Sequence, residues 1–141
     1  MQREITLKEI KPSLIYHFSS ESELKSEINK LSQNFTTQRE KLGEYLNSEK
    51  MVAAYTCFYL LTNIPKLKAA LELTQLNLSD FKDYEFFDIG AGPGTFSLAL
   101  LAEDSTLSIR AIELSPLMKE QGSKLVENFF PNADFSYINI N

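Results

Sequence analysis

The chain has 141 residues, room for one domain or for a small domain with an appendage. With 43% hydrophobic residues, 23% charged residues and a formal net charge of −5, it is neither a disordered nor a collagen-like chain, and its single cysteine excludes a disulfide scaffold. No apolar run approaches the roughly 18 residues of a membrane span, and the opening MQREITLKEIKPS lacks the apolar stretch of a signal peptide, so the reading is a cytosolic (cytoplasmic) protein with no membrane partner.

Residues 1–80 read as a helical N-terminal region. Ser20 stands three residues before Glu23, a capping-box spacing, and Leu24, Ile28 and Leu31 follow at helical intervals. A second amphipathic stretch carries Leu42, Tyr45 and Leu46. Ser48 is the expected N-cap of a third helix, whose stripe is Met51, Ala54, Tyr55, Phe58 and Leu61. Asn63-Ile64-Pro65 is expected to break that helix, because proline has no backbone donor and crowds the preceding turn. A further helix from Pro65 to about Leu76 is then expected to bury Leu67, Ala70 and Leu71.

From residue 81 the texture changes. Tyr84 to Ile89 is a short, mostly apolar run that suits a strand covered on both faces. Thr95 to Ala102 reads as a helix carrying Phe96, Ala99 and Leu100, and Leu107 to Leu114 as a second strand. Pro116 to Phe129 follows as a helix capped by Ser115, with Met118, Gly122, Leu125, Val126 and Phe129 on its inner face. Phe135 to Ile140 reads as a third strand. The fold class is therefore α/β, a β-α-β-α-β order implying parallel strands and half of a doubly wound, Rossmann-like sheet over residues 81–141.

Charge divides at the same place. Residues 1–80 hold 10 basic and 10 acidic residues, whereas residues 81–141 hold 4 and 9. Nothing in the second part offers the basic patch that nucleic acid requires, and DNA is not an expected partner. Cys57, among apolar neighbours, reads as an inert buried thiol, and by itself it forms no metal site. His17, the only histidine, reads as a surface or packing residue.

The stretch that carries chemistry is Asp88-Ile89-Gly90-Ala91-Gly92-Pro93-Gly94-Thr95, where the first strand turns into the following helix. Glycines at 90, 92 and 94 let the backbone turn tightly and approach a ligand, and free N–H groups there favour a carboxylate or phosphate. A dinucleotide fingerprint needs its third glycine at the sixth position, which is Thr95 here, so NAD is disfavoured. Glu113 ends the second strand 19 residues beyond Gly94, where a carboxylate can accept both hydroxyls of a ribose and repel a 2′-phosphate.

Gly-x-Gly-x-Gly after a strand-ending acid resembles the first motif of class I S-adenosylmethionine (SAM) methyltransferases. Two further segments, Ala53-Ala54-Tyr55 through Asn63-Ile64-Pro65-Lys66-Leu67-Lys68-Ala69-Ala70-Leu71 and Ile112-Glu113-Leu114-Ser115-Pro116 through Gly122 and Leu125, resemble the methyltransferase-like proteins of the small ribosomal subunit in bacteria and mitochondria. The resemblance covers about residues 49–130. It implies SAM as cofactor, with Asp88, Gly90, Ala91, Gly92 and Gly94 around its methionine part, Glu113 on the ribose and Leu114 near the adenine. It implies as partner the small ribosomal subunit or its RNA, in translation.

The resemblance also implies a seven-stranded sheet, with downstream cysteines holding an iron–sulfur cluster, whereas this sequence stops after the third strand. The chain is accordingly expected to be a fragment, a truncated product or half of an assembly, inactive alone, with no catalytic residue assigned and self-association through the open edge of the first strand. The alternative is a docking or assembly module that keeps the fold without turnover, touching RNA through Lys25, Lys30, Arg39 and Lys41.

Overall fold

The computed structural model describes residues 3–41, 43 and 45–140. Leu42 and Asn141, and the side chains of Lys41 and Tyr45, lie outside the described residues. The chain is a mixed α/β protein with a three-stranded parallel sheet.

A short helix α1 (Leu7–Ile10) precedes α2 (Glu21–Thr36). Ser20 caps α2, its hydroxyl accepting the Glu23 N–H at 3.1 Å, but the Glu23 carboxylate reaches back one residue further than a capping box and accepts the Ser19 N–H at 2.7 Å. Ser48 caps α3 (Glu49–Tyr55) through the Met51 N–H. No break occurs at Pro65. The chain stays helical from α3 through a π-helical turn (Thr56–Leu60) into α4 (Leu61–Thr74), with Pro65 inside it. The wide π turn lies directly ahead of Leu61, whose carbonyl the proline ring would crowd in a regular helix, so the mismatch is absorbed as a local widening. The expected stripe is displaced: Val52 and Ala53, ahead of the π turn, and Cys57 and Leu60, within it, are buried with Ala54, and Phe58 is exposed. On α4, Ala70 is exposed and Leu67 and Leu71 are half-buried, contrary to expectation, because this helix packs along the outside of the following one.

The sheet runs β1 (Glu85–Ile89), β2 (Ser108–Ile112), β3 (Asp134–Tyr137) in that spatial order, so β2 is central. Helices α5 (Thr95–Glu103) and α6 (Pro116–Phe129) follow β1 and β2. The register aligns Phe86, Ile109 and Phe135, then Asp88, Ala111 and Tyr137, on one face. That face meets Leu98 and Leu101 of α5 and Leu125, Val126 and Phe129 of α6 in a single apolar cluster, which extends to Leu24, Leu31, Ala53 and Leu60 of the N-terminal helices. Buried Gln121 ties the two halves: its Oε1 accepts the Ile15 N–H at 3.0 Å and its Nε2 donates to the Ser13 carbonyl at 2.9 Å.

Among the described residues nothing covers the other face of the sheet along β1. Glu85, Phe87 and Ile89 are exposed while Phe86 and Asp88 are half-buried, so β1 alternates and is not covered on both sides as its apolar composition suggests. Arg110 lies between Glu85 and Asp134 on this open face, with N···O distances of 3.3 and 2.9 Å. On α5 the buried apolar side chains are Leu98, Ala99, Leu101 and Ala102, with Thr95 and Ser97 buried beside them; Phe96 is exposed and Leu100 half-buried. The inner face of α6 is as expected, with Met118, Gly122, Leu125, Val126 and Phe129 all buried. Among the described residues no helix is long and apolar enough to cross a membrane.

Candidate functional site

The carboxyl ends of the three parallel strands converge on the glycine loop. Gly90, Gly92 and Gly94 have φ of +70°, +56° and +78°, a region that L side chains rarely adopt, so the loop's path demands glycine. A Cβ built at Gly90 or Gly92 meets nothing within 4 Å, which leaves the surface in front of these two residues open to a ligand.

Most of the loop's amides are already used. The Gly90 and Ala91 N–H groups both donate to the Ile112 carbonyl, at 2.9 and 3.0 Å, and the Gly94 N–H donates to the Ala91 carbonyl at 2.9 Å. The Gly92 N–H donates to Glu113 Oε2 at 2.8 Å. The expectation of a loop full of free donors is therefore corrected. The amides of Thr95 and Phe96, the first two of α5, are the ones for which the described residues supply no acceptor.

Asp88 and Glu113 have distinct tasks. Asp88 Oδ2 accepts both the N–H (3.1 Å) and the hydroxyl (2.7 Å) of Ser97, so it satisfies an orphan donor in the first turn of α5 from the end of β1. Glu113 just beyond β2 accepts the Gly92 N–H on one oxygen and the Ser115 N–H (2.9 Å) on the other. Each oxygen keeps a second lone pair, which is what a vicinal diol requires of a single carboxylate. Leu114 beside it is 93% exposed and offers an apolar platform. The two acids, the loop and Leu114 thus meet at one end of the sheet.

Tyr137 enters this group unannounced by any motif. Its hydroxyl donates to the Gly92 carbonyl at 2.8 Å from the end of β3. Burial, reinforced by the charges of Asp88 and Glu113, pushes its ionisation far above that of an ordinary phenol, so it remains a donor. The available hints were an aromatic with a polar tip at a strand end and a glycine, Gly122, inside a helix.

The other singled-out residues lie elsewhere. Cys57 is buried, its thiol pushed up to about 11 by desolvation, as expected for an inert cysteine. It lines a cavity of about 300 Å³ with exposed His17, Phe18 and Leu24, sharing no residue with the glycine loop. Lys25, Lys30 and Arg39 are exposed, and Lys30 pairs with buried Glu27 at 2.7 Å. No family model, no curated protein and no solved structure matches the chain.

Proposed function

We propose that this chain is the SAM-binding part of a class I methyltransferase with a half Rossmann-like sheet, its methyl acceptor belonging to the small ribosomal subunit or its RNA. The observation that supports the cofactor most directly is Glu113, held by the Gly92 and Ser115 amides with one lone pair free on each oxygen. In this reading Glu113 accepts both ribose hydroxyls. Leu114 lies against the adenine, and the methionine carboxylate takes the open amides of Thr95 and Phe96 at the positive end of α5. Gly90, Ala91, Gly92 and Gly94 admit the methionine part without a side chain in the way, and Asp88 holds the helix start beneath it.

SAM supplies an electrophilic methyl on a sulfonium, and transfer asks chiefly that acceptor and methyl be aligned. The site carries two carboxylates, which favour a ligand with ammonium and sulfonium charges over one with phosphates.

Calorimetric titration with SAM and S-adenosylhomocysteine, with NAD as control, tests the reading. Saturable binding of the first two, weakened at least about tenfold in Glu113→Ala, is expected from loss of charge-assisted hydrogen bonds. Unchanged affinity in the variant removes Glu113 from the ribose, and binding of NAD alone replaces the cofactor.

A second reading, a docking module without turnover, is favoured by the bare face around Phe87 and Ile89, which are 55% and 77% exposed. In that case the chain binds small-subunit RNA with a salt-dependent affinity through Lys25, Lys30, Arg39 and Lys41, the last with its side chain outside the described residues.

A further inference from the structure

Gly92 is held from both sides. Its N–H is fixed by Glu113 from the end of β2, and its carbonyl by the Tyr137 hydroxyl from the end of β3. Pro93 follows, so the peptide joining them has no N–H, and the Gly92 carbonyl is the one backbone polar group by which that peptide can be anchored.

The path of the tyrosine depends on small neighbours. The register sets Tyr137 beside Ala111, and Ala111 beside Asp88, on the helix-covered face. A Cβ at Gly122 of α6 would lie 1.9 Å from the Tyr137 hydroxyl oxygen and 2.9 Å from its Cζ, and one at Gly94 would lie 3.4 Å from that oxygen. A glycine inside a helix is less favourable than alanine. At Gly122 the missing Cβ leaves room for the ring.

We propose that Tyr137 is a positioning residue for the glycine loop: its hydroxyl sets the Gly92 carbonyl, and with it the aim of Glu113 and of the first amides of α5 toward an adenosyl ligand, while Gly122 is the cradle that admits it. The aim toward that ligand rests on the cofactor reading above; the latch on the loop does not.

The experiment pairs amide hydrogen exchange of the free chain with SAM titration, in wild type and Tyr137→Phe, which removes one oxygen and keeps the ring. Exchange at Gly92 and Gly94 is expected to quicken by about threefold to tenfold, the loss of one neutral hydrogen bond, while Ile109 and Ala111 in β2 stay protected. SAM affinity is expected to fall over the same range. A merely structural tyrosine would instead move the loop and β2 amides together. Unchanged exchange at Gly92 and Gly94 overturns the proposal, whatever the ligand. Looser loop amides with unchanged SAM affinity overturn the aiming role. Looser amides in a chain whose wild type ignores SAM uphold the latch and reject the cofactor reading. A Cβ at Gly122 would also lie 3.0 Å from the Pro93 carbonyl carbon, so Gly122→Ala is expected to loosen the loop in both backgrounds but clearly less in Tyr137→Leu than in wild type; equal effects in both backgrounds overturn the cradle.

Discussion

The Glu113 carboxylate accepts the Gly92 N–H at 2.8 Å, joining the end of β2 to the loop that follows β1 across 21 residues of sequence. The contact makes the acid part of the loop rather than a neighbour to it. Glu113 also accepts the Ser115 N–H, and the Ser115 hydroxyl both accepts the Met118 N–H at 3.3 Å, capping α6, and donates to the Leu46 carbonyl at 3.1 Å. One carboxylate therefore ties together the loop before α5, the start of α6 and, through Ser115, the N-terminal helices.

This double attachment separates two kinds of substitution at Glu113. Alanine leaves the Gly92 and Ser115 amides without their acceptor and is expected to cost about 1–3 kcal/mol of folding stability besides the ligand contacts. Glutamine keeps one acceptor oxygen and the shape, so its stability loss is expected to be about half of that, with SAM affinity down roughly threefold to tenfold. Urea melts and titrations of both variants check the pair. Equal stability of Glu113→Ala and wild type would mean that the carboxylate does not hold the loop.

Asp88 predicts the opposite balance. Its carboxylate is committed to the N–H and hydroxyl of Ser97 in the first turn of α5, so Asp88→Ala is expected to destabilise by about 2 kcal/mol and Asp88→Asn by less. SAM affinity measured where both variants remain folded is expected to change less than in Glu113→Ala. A greater loss of affinity at Asp88 than at Glu113 would transfer the ligand contact to the strand-end aspartate.

Short-range chemistry was legible in the sequence. The caps Ser20, Ser48 and Ser115 each act over three residues, and the glycines mark a loop whose positive φ values only glycine accepts readily. The first two strands and the inner face of α6 follow from hydrophobic spacing, whereas β3 runs Asp134–Tyr137 and stops short of the expected Ile140. What escaped depends on distant partners. The open face of β1 was hidden because Phe87 and Ile89 look like core residues in a strand, and exposure is decided by what packs on the sheet. Pro65 stays helical because a π turn several residues earlier absorbs it. Tyr137 reaches Gly92 across 45 residues, through space left by Ala111 and Gly122 on two other elements, which no local pattern encodes.

The uncovered face carries its own expectation. Phe87 and Ile89 of β1 lie exposed on an edge strand whose outer backbone groups have no neighbouring strand among the described residues. Self-association through this surface predicts a weight-average mass that rises with concentration in sedimentation equilibrium. The double variant Phe87→Lys, Ile89→Lys is expected to weaken that association at least about tenfold, by removing apolar burial and adding like charges. A wild-type chain that stays monomeric at every concentration would remove the edge as a contact surface.

Acid stability tests the N-terminal half. Glu23 accepts the Tyr16 hydroxyl at 2.7 Å, pairs with Lys50 at 2.9 Å and accepts the N–H and hydroxyl of Ser19 at 2.7 and 2.9 Å. These bonds, with the Tyr16 hydroxyl foremost, hold its carboxyl at about 2, against 4.5 for an ordinary glutamate. Between those values the unfolded chain binds the proton that the folded chain refuses, so stability falls as pH falls. The contribution of Glu23 is complete above pH 4.5 and is lost as the pH drops toward about 2. Glu23→Gln is therefore expected to melt lower than wild type at neutral pH, with the gap closing steadily below pH 4.5. Thermal melts of the two chains across that range check it. A gap that stays constant down to about pH 2 would show that Glu23 keeps its ordinary ionisation in the folded protein and that its contacts act through shape alone.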